Sequence, residues 1–159
     1  MKIKIIDQIE KIKYEDWKNH YIKYLIFNKN KIAEKNLKKL WEWLNDHSHP
    51  QKVIFALVDK NIAGHAHYRG SPNVVRGKDV GFLDDIFVIP EYRKLGVASK
   101  LMKKLRVEGR KNNWELIRWN CNFDNLTSNN LYLMEGDVLE AGANPATADI
   151  FISHRIGPR

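Results

Sequence analysis

Residues 2–7 alternate apolar and polar positions as a short strand does. In YEDWKNHYIKYLIF, residues 14–27, the period changes: Trp17, Tyr21, Tyr24 and Leu25 recur at helical spacing and predict an amphipathic helix. IAEKNLKKLWEWLND, residues 32–46, repeats that pattern through Ala33, Leu37, Leu40 and Leu44. Pro50 then forces His49 into an extended conformation and closes the helical part. VIFALVDKNIAGHAHYRG predicts a hairpin turning at Asp59-Lys60-Asn61, with Gly64 a candidate bulge. SPNVVRGKD reads as a polar loop, and VGFLDDIFVIP as a strand stopped by Pro90, which cannot donate to a ladder. A helix over 96–112, a strand near 115–121, a helix over about 125–135 and two last strands in DVLE and ADIFIS complete the chain.

This order predicts an α/β (α+β) fold: a mixed sheet with helices packed on it. At 159 residues the chain is long enough for one domain with a real core, and a single domain over 1–159 is expected. Hydrophobic residues make up 43% and charged residues 29%, which excludes a disordered chain. No apolar run approaches the ~20 residues of a bilayer helix. The start, MKIKIIDQIEKIKYEDW, breaks its apolar residues with charge after two positions and does not read as a secretory signal. Cys121 is the single cysteine, so the chain has no internal disulfide and no Cys-rich metal site, which fits a reducing cytoplasm.

Charge is uneven. The net formal charge is +8, and residues 1–40 alone hold 11 Lys against 5 acids, a local balance of +6. Such a balance favours anionic partners, either nucleic acid or a phosphate-bearing cofactor. A solvated, Lys-rich helical surface is the simpler reading.

The stretch IPEYRKLGVASKLM joins a strand, a proline, two basic residues and a helix opened by small residues. N–H groups at a helix start lack intrahelical partners, and the helix dipole adds positive character there, so an anion is the natural ligand. Gly96 and Ala98 let the backbone approach that anion, Arg93 and Lys94 add cationic donors, and Ser99 adds a hydroxyl. Neither the P-loop pattern nor G-x-G-x-x-G is present. A plain turn whose small residues serve helix–sheet packing is the alternative.

With its flanks, DDIFVIPEYRKLGVASKLM resembles the central motif of the GNAT superfamily, the acyl-CoA-dependent N-acyltransferases. That motif is a strand, a proline and R-x-x-G-x-[GA] opening a helix, met by Arg93, Gly96 and Ala98. Lys94 stands where the family often has glycine. About thirty residues on, NLTSNNLYLMEG resembles N-x-x-[AS]-x-x-[LF]-Y-x-x-x-G, met by Asn125, Ser128, Leu131, Tyr132 and Gly136. The resemblance implies the GNAT fold, a mixed sheet splayed between its fourth and fifth strands with helices on both faces, and acetyl-CoA as cosubstrate. It implies that the pyrophosphate is held by backbone N–H groups of Lys94, Leu95, Gly96, Val97, Ala98 and Ser99. The pantetheine arm would pair like an added strand with Ile86, Phe87 and Val88, and Asn125 would bond it from the other side.

An amine attacking a thioester needs a neutral nucleophile, stabilisation of the oxyanion and a proton for the leaving thiolate. Tyr132 suits the last task, since a phenol near pKa ~10 and a thiol near ~8.5 exchange a proton at little cost. Asn125 and Tyr132 are two helical turns apart and face the same cofactor. The family geometry would put the oxyanion near the backbone N–H of Val88 or its neighbour. Asp84 and Asp85 are candidate bases; being adjacent on a strand, they point to opposite faces, so only one meets the acceptor directly. Pairing with Arg69 or Arg118 is their structural alternative. FLDDIFVIPEYRK is similar to the matching segment of diamine acetyltransferases, where paired acids meet the polyamine.

His65 and His67 alternate on one strand face as candidate bases, but surface or half-buried strand histidines are the preferred reading, and no third ligand has metal-site spacing. Trp17, Trp41 and Trp43 read as core. Trp119 is a candidate wall of the acceptor site, and Cys121 reads as a small buried hydrophobe. These residues predict an N-acetyltransferase acting on a primary amine, with a small amine or polyamine favoured over an amino sugar, amino acid or protein lysine. The competing class is a non-catalytic acyl-CoA sensor or a protein- or nucleic-acid-interaction domain, with the basic helices as partner surface. Late strands completed by a second subunit would make a homodimer.

Overall fold

The computed structural model describes residues 1–122, 138–144 and 149–155, with side chains described through residue 120. The elements are β1 (Ile3–Ile6), α1 (Tyr14–Phe27), α2 (Glu34–Asn45), β2 (Lys52–Val58), β3 (Asn61–Asn73), β4 (Lys78–Val88), α3 (Val97–Lys111), β5 (Leu116–Asn122), β6 (Val138–Asn144) and β7 (Asp149–Arg155). Short 3-10 turns cover Ile9–Lys11 and Pro90–Tyr92. No described helix is long and apolar enough to cross a membrane.

The chain divides into two compact units, Met1–His67 with Ile86–Leu101, and Tyr68–Asp85 with Met102–Arg159. In the first, hydrogen-bonded neighbours run β1-β2-β3-β4, and β1 pairs antiparallel with β2 from Ile3↔Val58 to Ile6↔Phe55. β2 buries Val53, Ile54, Phe55 and Ala56 in succession, the signature of a strand covered on both faces. On one face lie α1 and α2, whose stripe of Trp17, Tyr21, Leu25, Leu37 and Leu44 meets Val53 and Phe55. Trp17 is fully buried and stacks on Tyr21, with ring centroids 5.5 Å apart and planes 10° from parallel.

Two left-handed residues, Asp59 (φ 49°) and Lys60 (φ 69°), turn the β2–β3 hairpin. That is the turn whose twist suits two-residue hairpins. Ile62 joins the cluster around Trp17, and His65 bonds His20 of α1, so two residues three apart face the same helix layer. Regular pleating forbids this, so the strand carries one extra residue between them. The bulge predicted at Gly64 is therefore present. A Cβ at Gly64 would lie 2.8 Å from the Phe87 carbonyl oxygen and 3.2 Å from Val97 Cγ1. That close approach brings the start of α3 onto the sheet face opposite α1.

In the second unit the neighbours run β3-β4-β5-β7-β6. β4 and β5 are parallel, joined through α3, and their ladder covers only Gly81–Leu83 against Ile117–Trp119. β4 continues to Val88 and β5 to Asn122, as expected of a sheet that splays between its fourth and fifth strands. β5 pairs antiparallel with β7 from Leu116↔Arg155 to Asn122↔Asp149, and β7 pairs with β6. Leu83, Met102, Leu105, Leu116, Ile117 and Trp119 are buried here.

Three expectations change. The polar loop expected over 71–79 shrinks to a tight turn, because β3 runs to Asn73 and β4 begins at Lys78. Asn73 closes that turn, its carbonyl accepting from Gly77 N–H at 2.9 Å and its side-chain oxygen from Arg76 N–H at 3.1 Å. Trp43, expected in the core, is exposed and stacks on His49 at 4.8 Å. His65 and His67, expected at or near the surface, are buried.

Candidate functional site

The end of β4 offers its two edges differently. Ile89 N–H donates to the Ala63 carbonyl at 2.9 Å, and the Phe87 carbonyl lies against Gly64. Because backbone groups alternate along a strand, Phe87 and Ile89 turn their amides and carbonyls to β3. Ile86 and Val88 turn theirs away from it. Of the three residues expected to pair with a pantetheine arm, Ile86 and Val88 therefore have suitable backbone polarity, whereas Phe87 contributes its ring. That ring is buried beneath α1, 5.7 Å from Tyr24 and 5.6 Å from Phe27.

The bend after β4 follows from its sequence. Pro90 opens a 3-10 turn closed by Tyr92 N–H to Ile89 O at 2.9 Å and Arg93 N–H to Pro90 O at 3.2 Å. Lys94 (φ 61°) and Gly96 (φ 84°) are then both left-handed, on either side of Leu95. Handedness alternating in this way aims successive amides into one concavity, a shape that favours an anion. The first helical bond of α3 runs from Lys100 N–H to Gly96 O at 3.1 Å, so the amides of Val97 and Ala98 precede it at the positive end of the helix. A Cβ on Gly96 would meet nothing within 4 Å, so the glycine serves the backbone angle rather than packing. Val97 and Leu101, both buried, seat this first turn on the sheet.

Arg93 is tied to the strand end. Its Nε donates to the Val88 carbonyl at 3.0 Å, and its guanidinium lies 4.9 Å above the Phe27 ring and 5.6 Å above that of Phe87. Asp84 takes the structural alternative raised for it, pairing with Arg69 Nε at 3.1 Å, while Arg69 also covers the Phe82 ring at 4.6 Å. Asp85, on the opposite face of β4, shares its side of the strand with Phe87. Asn125 and Tyr132 lie outside the described residues, as does the Cys121 side chain. Trp119 is buried in the second unit.

One group the sequence reading passed over is His20, which is buried in α1 with its Nε2 2.8 Å from His65 Nδ1. Its position, three after Trp17 and four before Tyr24, puts it on the helix's apolar stripe, which was the available signal.

The family model described as "Acetyltransferase (GNAT) family" matches residues 9–135. The chain belongs to the GNAT acetyltransferase family. Solved structures agree on the fold. A GNAT-family acetyltransferase from Staphylococcus aureus Mu50 is 17% identical with a TM-score of 0.74, the match covering 98% of this chain and 100% of that one. The ribosomal-protein-alanine N-acetyltransferase of Brucella melitensis biovar Abortus 2308 is 18% identical, TM-score 0.68, over 90% and 96% of the two chains. The PaiA N-acetyltransferase of Thermoplasma acidophilum, solved in complex with coenzyme A, is 14% identical, TM-score 0.63, over 98% and 99%. No curated protein matches significantly. As a GNAT N-acetyltransferase, the protein uses acetyl-CoA as its cosubstrate. The left-handed bend and the amides of Val97 and Ala98 fit a diphosphate, and the outward backbone of Ile86 fits an amide-bearing arm, while the outward Val88 carbonyl already accepts from Arg93.

Proposed function

We propose that the whole chain, as one cytoplasmic domain over 1–159, transfers the acetyl group to a primary amine, a small amine or polyamine, by direct attack on the thioester. The neutral amine nitrogen bonds to the carbonyl carbon, the carbon–sulfur bond breaks, Tyr132 gives its phenolic proton to the departing thiolate, and the surplus proton of the acylated nitrogen restores the phenol. Val88 N–H, turned to the strand's outer edge, stabilises the oxyanion. The amides of residues 94–99 hold the diphosphate, with Lys94 as a nearby cation, and Asn125 bonds the pantetheine arm. Asp85 draws the cationic amine; Asp84, held by Arg69, shapes the field from the other face.

The observation that carries this reading is the pair of left-handed residues, Lys94 and Gly96, opening α3 directly after a β4 end whose alternate amides point outward. Mixing protein, acetyl-CoA and a panel of amines tests it: thiol is released with at least one amine, and Tyr132→Phe lowers kcat about 10²-fold with little change in acetyl-CoA affinity. Coenzyme A binding without thiol release on any amine would leave a non-catalytic acyl-CoA sensor instead.

A further inference from the structure

Four lysines from four different elements meet around one cleft of the first unit, a space of about 700 Å³. Lys4 comes from β1, Lys11 from the 3-10 turn after it, Lys23 from α1 and Lys60 from the β2–β3 turn. A solvated helix face carries its lysines at helical spacing on one element; these four are brought together only by the fold. Among the described residues, none of the four ammonium groups has an ion pair or a side-chain hydrogen bond, although Asp16 and Glu91 line the same cleft. Lys60 also holds a left-handed turn position, φ 69°, where glycine would sit without strain.

Charge and lining together define what fits. Four ammonium groups against two carboxylates leave the walls two charges positive. Concave walls with an excess of one sign focus their field into the space between them, so a dianion is the matching charge. Much of the lining is apolar: Ile6, Ile62 and Ile89 are buried, and Ile12 and Leu57 are half-buried. Inorganic phosphate would leave that surface to water, whereas an apolar body removes it from water. Asn19 and Asn61 add amides, and Tyr92 a ring and a hydroxyl. A space of this size suits one small molecule.

We propose that this cleft is a second ligand site, taking a small organic dianion: an apolar body that carries either a phosphate monoester or two carboxylates. The body lies on the isoleucines, and the anionic end is held by the ammonium groups as point charges. The bend over 94–99 contributes no residue to the lining, although Glu91 and Tyr92 belong to the turn that leads into it. No step of acetyl transfer passes through the cleft, so its occupancy stands or falls apart from the amine-acetylation reading.

Amide NMR of the native protein at low salt, near pH ~8 where a phosphate monoester is a dianion, reads the site with phenyl phosphate as probe. Shifts at Lys11, Asn61, Ile62, Glu91 and Tyr92 saturate together. Lys4→Gln, Lys23→Gln and Lys60→Gln, all at exposed positions, each raise Kd about fivefold without changing the unfolding temperature. Added salt raises it further. Whichever of phenyl phosphate and phenylsuccinate binds more tightly names the anionic group. Inorganic phosphate binds at least about tenfold more weakly than phenyl phosphate; equal affinity overturns the proposal. Shifts that do not saturate, or that ignore all three lysine changes, overturn it as well. Saturating coenzyme A leaves the Kd of phenyl phosphate unchanged, whereas competition gives the cleft to the cofactor's own ribose phosphate and removes the second site. A short oligonucleotide that binds more tightly than either probe through the same lysines overturns the proposal in favour of a nucleic-acid surface.

Discussion

Arg93 donates from Nε to the carbonyl of Val88 at 3.0 Å while its guanidinium covers the rings of Phe27 and Phe87. The motif arginine thus ties down the end of β4, the segment proposed to meet the cofactor arm. Lysine cannot reproduce this, because its ammonium is a compact, strongly hydrated charge without a planar fork to stack and donate together. Arg93→Lys should lower stability by about 1 kcal/mol, reduced from the value of a buried bond by the side chain's exposure. The looser β4 end should weaken coenzyme A binding about tenfold, or about 1.4 kcal/mol. Thermal unfolding and calorimetric titration read the two effects; native values in both would show that the contact positions nothing.

Lys94 occupies a left-handed conformation, φ 61°, at a position where its family often has glycine. A side chain there costs roughly 1–2 kcal/mol. Glycine would relieve that cost but bring back roughly 0.5–1 kcal/mol of chain entropy in the unfolded state. Lys94→Gly should therefore stabilise the fold by about 0.5–1 kcal/mol. It also removes a cation from the bend proposed to hold the diphosphate, so affinity for coenzyme A should fall several-fold, with the loss shrinking at high salt. Stability and affinity moving in the same direction would contradict this account. Gly96→Ala makes the complementary case: with nothing within 4 Å of the new Cβ, its cost comes from the φ of 84° alone.

What the sequence revealed and what it hid divide by the distance between interacting residues. The α1 and α2 stripes, the Asp59-Lys60 turn, the bulge at Gly64 and the Gly96 bend are local, and period or residue type sufficed for each. Trp43 was also legible, since it falls off the stripe that runs through Leu37, Leu40, Trp41 and Leu44. The burial of His65 was not, because its partner His20 lies 45 residues earlier. Nor was the extension of β3 and β4 toward their turn, where Arg76 and Lys78 both reach Glu115 from across the fold, at 2.6 and 2.7 Å. The central motif was legible from its residue types, but the pairing of Asp84 with Arg69 depends on a neighbouring strand and could not be chosen over Arg118 from the sequence.

Glu115 gives a pH dependence with a definite sign. Its hydrogen bond from Lys78, then that from Arg76, hold its carboxyl below the ordinary glutamate range. A carboxylate with a depressed folded-state pKa contributes stability that is complete above its unfolded pKa and is lost as pH falls through the folded one. The β3–β4 turn, whose Val74 and Val75 are almost fully exposed, should therefore loosen below about pH 4. Amide exchange at residues 73–78 should accelerate in that range in the native protein. In Glu115→Gln the exchange should already be fast at neutral pH and flat across the acid range. A native exchange profile that ignores acid would rule out the carboxylate as the turn's anchor.

The adjacent acids should separate in kinetics. Asp84 is held by Arg69 at 3.1 Å with both side chains about one-third exposed, so Asp84→Asn removes a partly screened pair worth about 0.2–1 kcal/mol. Its effect should fall on stability, with Arg69→Gln giving a similar change and the double variant little more. Asp85, the next residue, points to the other face of the strand, and the proposed function gives it the attraction of a cationic acceptor. Asp85→Asn should raise the amine KM about tenfold, more for a diamine than a monoamine, because each added ammonium loses its own Coulombic attraction. Steady-state kinetics with amines of one and two charges at two ionic strengths decides the matter. If Asp84→Asn carries the charge-dependent KM change and Asp85→Asn does not, the acceptor approaches β4 from the opposite face.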